Sequence, residues 1–199
     1  MPDLELENLG RANGFKTVCG VDEAGRGPLC GPVCAAAVIL PEGVELEGVN
    51  DSKKLSEKKR EELFDVIKEK ALAYSVAFAT VEEIEEYNIL EATFMAMNRA
   101  IEGLQIGADY ALIDGNRVPK NIKIPCETVV KGDAKSLSIA AASILAKVSR
   151  DRLLLEYDKQ YPEYNFAKHK GYGTKEHIEA IKKYGPCPIH RASFLTKIK

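Results

Sequence analysis

Hydrophobic and polar residues alternate along the chain in two patterns, one typical of buried strands and the other of amphipathic helices. Short apolar runs bounded by glycine, proline or polar turns predict five strands, over residues 17–21, 33–40, 71–79, 110–113 and 124–130. Apolar residues spaced three and four apart predict helices over residues 56–70, 82–87, 90–104, 138–157 and 174–184. Strands that alternate with helices in this way indicate an α/β fold with a central sheet.

The length and composition of the chain are those of one globular domain. It has 199 residues, of which 45% are hydrophobic, enough to bury a core. We therefore expect a single domain over residues 1–199, with a helical C-terminal portion from about residue 158. There is no basic leader or long apolar segment, and the five cysteines show no metal-binding spacing, so we expect a cytoplasmic protein with reduced thiols. Without a heptad pattern, a monomer is the expected state.

The formal net charge of −2 conceals an asymmetry between the two parts of the chain. Residues 1–113 carry 11 Lys and Arg against 21 Asp and Glu, a balance of −10, whereas residues 114–199 carry 17 against 9, a balance of +8. A basic C-terminal part favours a polyanionic partner such as a nucleic acid. Surface charges also divide unevenly by chance, so charge alone leaves this interpretation open.

Acidic residues follow three of the predicted strands. Asp22 and Glu23 follow the first strand, Asp114 the fourth and Asp133 the fifth. Ligands of α/β sheets bind at the carboxyl ends of strands, where we expect these four carboxylates to converge. Such a cluster needs cations between its members, and oxygen-only ligation is typical of Mg²⁺ or Mn²⁺. Because two such ions cleave phosphodiesters in many enzymes, the cluster predicts a nuclease with a two-metal site.

The adjacent pair Asp22 and Glu23 raises a geometric difficulty, because neighbours on a regular strand point to opposite faces. We expect Asp22 to be the inner ligand. Glu23 is expected to contribute through a bend, through its backbone carbonyl or through a metal-bound water. The alternative is that all these acids merely end strands, as turn formers do.

The sequence Gly25-Arg26-Gly27 follows the first acidic pair almost directly. It does not fit a dinucleotide-binding pattern, because position 30 is a cysteine, and no P-loop lysine follows it. Glycine lets backbone groups approach a ligand closely, and Arg26 adds a fork for phosphate. A backbone that both donates and accepts is suited to a ribose 2′-hydroxyl, the group that distinguishes RNA from DNA.

Five sequence blocks together resemble the bacterial ribonuclease HII family, a type 2 ribonuclease H. They are VDEAGRGPLCGPV, DSKKLS at residues 51–56, LIDGN, VVKGDAKSLSIAAASILAKVSRDR and HKGYGTKEH, and the likeness runs in order from about Val18 to Phe194. The resemblance implies a ribonuclease H-like fold, with a mixed five-stranded sheet flanked by helices and a helical C-terminal portion. It also implies that the metal-binding catalytic residues are Asp22, Glu23, Asp114 and Asp133.

The resemblance further implies how a substrate is recognised and cut. Gly25, Arg26 and Gly27 would read the 2′-hydroxyl and the adjacent phosphate, and Tyr172 would stack on the deoxyribose that follows the ribonucleotide. The implied reaction is metal-dependent hydrolysis of the RNA strand of RNA/DNA hybrids, and cleavage 5′ to single ribonucleotides in duplex DNA. It leaves a 3′-hydroxyl and a 5′-phosphate and needs no covalent intermediate.

Three further residues are candidates for substrate binding. Lys53 is expected to touch phosphate or the acids, and the alternative is a solvated run of lysines. Ser143 and Lys147 lie four apart on one helix face, where both can meet the substrate backbone or orient Asp133. A simple packing role for Ser143 is equally open.

Other functions stay open at this point. A two-metal DNA nuclease without ribose discrimination would share the acids and cut all-DNA duplexes. A non-catalytic module that binds RNA/DNA hybrids would be favoured by the loss of an acid, and all four are present. A small-molecule phosphatase is disfavoured, because the basic C-terminal part exceeds what a small substrate needs.

Overall fold

A five-stranded mixed sheet forms the centre of the computed structural model, which describes residues 1–50, 52–196 and 198. Its strands are β1 (Val18–Ala24), β2 (Val33–Ile39), β3 (Ala73–Ala79), β4 (Tyr110–Asp114) and β5 (Cys126–Val129). They lie in the order β3-β2-β1-β4-β5. β1, β2 and β3 pair antiparallel, whereas β4 and β5 run parallel to β1. The predicted mixed five-stranded sheet is therefore confirmed.

Helices connect and flank these strands. They are α1 (Glu5–Ala12), α2 (Glu57–Lys70), α3 (Val81–Tyr87), α4 (Ile89–Glu102), α5 (Leu137–Gln160), α6 (Phe166–His169), α7 (Lys175–Tyr184) and α8 (Ala192–Leu195). Several begin at hydrogen-bonding N-caps, since Ser56 accepts from the N–H of Lys59 and Ser136 from that of Ile139. Thr80 forms a full capping box with Glu83 at the start of α3.

The sheet lies between two helical layers, each with its own apolar core. On one face, α4 packs Phe94 and Met97 against strand residues that include Val21. On the other face, α5 packs alanines and Ile144 against residues that include Ala36. Side chains of β1 alternate between these faces, so odd-numbered residues point towards α4 and even-numbered residues towards α5. This alternation decides where each acid of β1 points.

The C-terminal portion packs on the far end of α5 around its own small core. Buried Leu154 of α5 meets Tyr164, Phe166 and Ile181 there, together with Cys30. Backbone hydrogen bonds tie this portion to the segment after β1. Leu29 donates to the carbonyl of Gly171 at 2.8 Å, and Arg191 donates to the carbonyl of Leu29 at 2.8 Å. The segment of residues 25–31 is thus held between α5 and the C-terminal portion.

Two features of the whole chain bear on the earlier expectations. All five cysteines are free, as expected, and Cys19, Cys30 and Cys34 are buried. Among the described residues, every helix falls short of the length or the apolar character that crossing a bilayer requires.

Candidate active site

The four predicted acids lie at one end of the sheet, but two of them sit differently from expectation. The first strand was predicted to end at Val21, whereas β1 continues to Ala24 and carries Asp22 and Glu23 within it. β5 ends at Val129, so Asp133 does not end a strand. It lies instead in a single turn of 3-10 helix, Gly132–Ala134, just before α5. Asp114 is the last residue of β4, as expected.

Three of the acids come close enough to share an ion. Asp22, Glu23 and Asp114 each offer one carboxylate oxygen, and these atoms lie within 4.8 Å of one another. Asp133 lines the same cavity but stands outside this close set among the described residues. The sequence thus predicted the convergence, although only three of the four carboxylates form its centre.

Asp22 and Glu23 converge although they belong to opposite faces of β1. Pairing between β1 and β4 ends at Val21 with Ile113, and Asp114, the last residue of β4, follows directly, so Asp22 and Glu23 lie where the paired part of the two strands ends. Beyond that point the long Glu23 side chain, on the α4 face, reaches the end of the strand that Asp22 approaches from the α5 face. The expected difficulty is real, and the end of β4 resolves it.

Burial and mutual repulsion make it energetically unfavourable for these three carboxylates to be charged without a cation between them. Burial raises the pKa of Asp22 well above its usual range, and the charges of Glu23 and Asp114 raise it further. Burial also raises the pKa of Glu23, while the charge of Arg26, 3.6 Å away, opposes that rise. Carboxylate oxygens under such repulsion, with no nitrogen or sulfur ligand in the set, fit a hard divalent cation.

Every residue that the sequence predicted for the site lines one cavity of about 240 Å³, here called the turn cavity. It contains the four acids, the turn residues Gly25, Arg26 and Gly27, and the side chains of Lys53, Ser143, Lys147 and Tyr172. Residues far apart in sequence therefore meet at one place. Asp51, which opens the DSKKLS block, lies outside the described residues.

Backbone and side-chain contacts hold the acids in place. The N–H of Gly132 donates to Asp114 Oδ1 at 2.6 Å, which joins the end of β4 to the turn that carries Asp133. A buried carboxylate of α1 fixes the next residues: Glu7 accepts from the Ser136 hydroxyl at 2.6 Å and from the Ser138 N–H at 2.9 Å. Glu7 was not predicted for the site, because it lies in a segment without an apolar pattern.

Two buried arginines hold the turn at residues 25–27 from beneath. Arg191 donates to the carbonyls of Gly25 at 2.6 Å and Arg26 at 3.0 Å, and also to those of Pro28 and Gly31. Arg150 of α5 donates to the carbonyl of Cys30 at 2.9 Å. Both guanidinium groups are almost fully buried. No pattern in the sequence indicated these contacts, because Arg191 lies 165 residues after Arg26.

The backbone carbonyls of the turn point inward, and this orientation decides which backbone groups face the cavity. All peptide bonds here are trans, so each N–H points opposite to the carbonyl of the same peptide. With the carbonyls of Gly25 and Arg26 bound to Arg191, the N–H groups of Arg26 and Gly27 point outward. Neither N–H has a partner among the described residues. The turn therefore offers two backbone donors.

Tyr172 and Lys147 line the same cavity as the acids. The Tyr172 ring is 44% exposed, and a Cβ atom built on Gly27 would lie 3.6 Å from it. Lys147 lies 5.9 Å from the centre of that ring and pairs with Asp151 at 2.7 Å. Burial lowers the pKa of Lys147, and Asp151 opposes that change. The ring and the turn thus face the same space.

Ser143 and the start of the DSKKLS block lie behind Asp22. The hydroxyls of Ser143 and Ser52 are 2.8 Å apart, and Ser143 also hydrogen-bonds to Asp22. Ser143 is 5% exposed, which favours orientation of an acid over contact with substrate, although the oriented acid is Asp22. Lys53, which follows Ser52, lines the cavity as predicted.

Comparison with known proteins gives a consistent result. Residues 19–197 match the family model described as Ribonuclease HII. Ribonuclease HII of Clostridioides difficile (strain 630) is 58% identical over 193 residues, which cover 97% of this chain and 75% of that protein. Ribonuclease HII of Endomicrobium trichonymphae is 62% identical over 181 residues, which cover 91% and 86%. The crystal structure of ribonuclease H2 from Pyrococcus horikoshii OT3 is similar with a TM-score of 0.75 and 31% identity, covering 92% of this chain and 97% of that one.

Proposed function

The chain belongs to the ribonuclease HII family and is a ribonuclease H endoribonuclease, and we propose that it cuts both RNA/DNA hybrids and single ribonucleotides embedded in duplex DNA. The cut is proposed to fall on the 5′ side of the ribonucleotide. The observation that carries this proposal is the position of the outward N–H groups of Arg26 and Gly27 in the same cavity as Asp22, Glu23 and Asp114. Two backbone donors suited to a ribose hydroxyl thus line the same cavity as the acids, which supports the proposal.

Enzymes of this family use divalent metal ions, and the residues present fit that requirement. We propose that Asp22, Glu23, Asp114 and Asp133 hold two ions, either Mg²⁺ or Mn²⁺. Such ions, when bound, lower the pKa of a water molecule and stabilise the departing oxygen. The raised pKa of Asp22 supports the proposal, because a cation between the carboxylates would relieve their repulsion.

The turn is proposed to bind the ribonucleotide by its sugar and its phosphate. Backbone donors at Arg26 and Gly27 face the cavity, and they can bind the 2′-hydroxyl oxygen or a phosphate oxygen without a side chain in the way. Arg26, whose side chain is about half exposed, adds a guanidinium fork towards phosphate. Deoxyribose offers no oxygen at the 2′ position, so the donors would discriminate against DNA.

Tyr172 is proposed to select deoxyribose at the next position. Its exposed ring faces the turn across the cavity, at the distance of an ordinary contact from Gly27. A sugar packed on that ring has no room for an additional hydroxyl. Lys147 and Lys53, which line the same cavity, are proposed to meet the substrate backbone as positioning charges.

The chemistry proposed is hydrolysis in a single displacement. Water attacks the phosphorus on the 5′ side of the ribonucleotide, and the bond from phosphorus to the upstream 3′ oxygen breaks. The water loses a proton and the leaving oxygen gains one, which yields a 3′-hydroxyl and a 5′-phosphate. Ser143 holds Asp22 and the Gly132 N–H holds Asp114 throughout, so the acids need little movement to act.

The two alternative functions agree with the findings to different extents. A non-catalytic hybrid-binding module is wrong, because the family is one of endoribonucleases. In a nuclease without ribose discrimination, the two outward N–H groups would have no ribose hydroxyl to bind. We also propose that the enzyme is cytoplasmic and acts as a monomer.

Replacement of single acids tests the proposed catalytic set. Asp22→Asn and Asp114→Asn should each reduce cleavage of an RNA/DNA hybrid by at least about 100-fold, because each removes a carboxylate that would hold a metal ion at the reacting phosphate. Without metal, Asp22→Asn should unfold at the same or a higher temperature than the wild type, since it removes a buried repulsion. Cleavage rate, hybrid affinity and melting temperature are the measurements.

Asp65→Asn, at an exposed position of α2, is the matched control and should cut like the wild type. Near-normal cleavage by the Asp114→Asn variant would contradict the assignment. Loss of folding in that variant would show a structural role instead.

A further inference from the structure

A second cavity of about 400 Å³ lies on the other side of the acids, between the end of β1 and α4. We call it the α4 cavity; its floor consists of Leu90, Thr93, Phe94 and Met97, and its rim of Gly115, Asn116 and Arg117. Glu23, Arg26 and Asp114 line both this cavity and the turn cavity. The acids therefore stand between two adjoining spaces.

The α4 cavity combines an apolar floor with an unpaired cation. Phe94 and Met97 belong to the core beneath, and their upper surfaces line the cavity. Arg117 is exposed, and in the described part of the chain no hydrogen bond or ion pair holds its guanidinium. A cavity of about 400 Å³ with polar groups at its rim lies in the size range of ligand pockets. A free guanidinium at its rim favours an anion.

The connection between β4 and β5 carries two further cations, and both have partners on α4. Lys120 pairs with Glu91 at 2.6 Å, and its carbonyl accepts from Asn98 Nδ2 at 2.7 Å. Lys123 pairs with Glu102 at 2.7 Å. These side-chain contacts lie outside the α4 cavity, on the exposed surface beside α4. Arg117 is the cation of this connection that is left to face the cavity.

We propose that the α4 cavity binds the nucleotide on the 5′ side of the cut, the one that keeps the 3′-hydroxyl. This inference rests on the proposed function, which places the ribonucleotide in the turn cavity and the reacting phosphate at the acids. A strand that crosses the acids must leave the turn cavity on their other side, where the α4 cavity lies. The sugar of the upstream nucleotide packs on Phe94 and Met97, and its own 5′ phosphate meets Arg117, with Asn116 beside it.

This contact gives Arg117 a positioning role. It holds the upstream nucleotide by a phosphate that takes no part in the reaction, and so fixes the leaving 3′ oxygen relative to the acids. Its loss should weaken substrate binding more than the chemical step, because the phosphate charge is the same before and during the reaction. The expected effect is a KM about 10-fold higher with a smaller change in kcat.

The test uses a duplex with a single ribonucleotide and replaces one phosphate at a time, on either side of the ribonucleotide, by a neutral methylphosphonate. With the wild type, replacement of the 5′ phosphate of the upstream nucleotide should raise KM about 10-fold. Arg117→Ala should raise KM similarly on the unmodified duplex and should show no further loss on that modified duplex. Such non-additivity identifies two groups that contact each other.

Two variants serve as controls. Lys123→Ala removes a cation from the same connection but outside the cavity, and should cut every substrate like the wild type. Arg117→Lys keeps the charge without the fork and should be intermediate. Because Arg117 has no partner in the described structure, its variants should melt like the wild type.

Two outcomes would overturn the inference alone: an Arg117→Ala variant with unchanged kinetics, or a loss that adds to that of every upstream methylphosphonate. Coupling of Arg117 to a phosphate on the 3′ side of the ribonucleotide would reverse the proposed strand direction and overturn it as well. A wild type that does not cut 5′ to the ribonucleotide would instead overturn the proposed function on which it rests.

Discussion

Gly25 and Gly27 flank the same arginine but differ in what a side chain at each would meet. Gly25 has a φ of +96°, and a Cβ atom there would lie 2.0 Å from Arg150 Nε. A side chain at Gly25 would therefore displace a buried arginine. Gly27 has no such constraint, and a Cβ atom would meet only the Tyr172 ring, at 3.6 Å. Gly25 is needed for the fold of the turn, whereas Gly27 leaves space for a ligand.

Gly27→Ala separates recognition from folding. The added methyl group should occupy the space between the turn and Tyr172, and cleavage at a lone ribonucleotide should fall about 10- to 100-fold, because the sugar no longer seats correctly. Its melting temperature should stay within a few degrees of the wild type, since the structure has room for the methyl group. Cleavage rate and thermal unfolding are the measurements.

Gly107→Ala is the matched control, because nothing lies within 4 Å of a Cβ atom at that position. It should cut and melt like the wild type. A folded Gly27→Ala variant with undiminished cleavage would remove the role of the turn in reading ribose.

Among single residues, the sequence pattern identified those that carry charge or flexibility near a predicted turn. It missed residues that contact the site from distant parts of the chain. Asp22, Glu23 and Asp114 were found because they adjoin strands. Arg191 and Glu7 were missed because the contacts they make join segments far apart in the chain. Such contacts exist only once the sheet and the C-terminal portion have packed.

The histidines of the C-terminal portion form a connected element behind Tyr172. His177 Nδ1 donates to the carbonyl of Tyr172 at 2.9 Å, and its Nε2 accepts from His190 Nε2 at 3.0 Å. His190 Nδ1 in turn accepts from the N–H of Cys187 at 2.9 Å. Each ring is thus neutral, with one nitrogen donating and the other accepting. The His169 ring stacks on the His177 ring with centres 4.3 Å apart, and its proximity also lowers the pKa of His177.

These contacts predict a pH dependence for the C-terminal portion. Burial lowers the pKa of His177 to about 4, and burial also lowers that of His190. Unfolded histidine titrates near 6.5, so below that pH the unfolded state binds more protons and the folded state loses stability as the pH falls towards 4. In an NMR titration, the His177 ring should keep its neutral chemical shift down to about pH 5.

A midpoint near 6.5 for that ring would contradict the buried network. The titration should be run on the folded protein with its unfolded chain as the reference, where all three histidines should titrate together near 6.5. This comparison separates the effect of the network from that of the buffer.

The pattern of apolar residues predicted elements well where one face is buried and poorly elsewhere. All five strands were found, because each is an apolar run bounded by turns. α1 was missed, because its buried residues are Glu7 and Gly10 and not an apolar stripe. Asp133 was misplaced at a strand end, since the short turn between β5 and α5 has no periodic signal. The predicted start and end of α5 were short because this helix is buried on several faces, which blurs the period.

For the whole molecule, the resemblance to a family predicted the fold more completely than the residue pattern alone. The charge asymmetry favoured a polyanionic partner but did not indicate where on the protein it would bind. In the structure, residues from the basic part, such as Lys147 of α5, line the turn cavity together with acids of the N-terminal part. The acids of this cavity repel one another and attract cations, while its basic side chains attract anions. Both properties fit a substrate that brings phosphate and cations together.

The most direct test of the central claim is to map the products from a DNA duplex that contains one ribonucleotide, beside an all-DNA duplex, with Mg²⁺, Mn²⁺ or a chelator. We predict cleavage only of the first duplex and only with metal, 5′ to the ribonucleotide, with a 3′-hydroxyl on one product and a 5′-phosphate on the other. Cleavage of both duplexes, cleavage on the 3′ side or cleavage in the chelator would contradict the account.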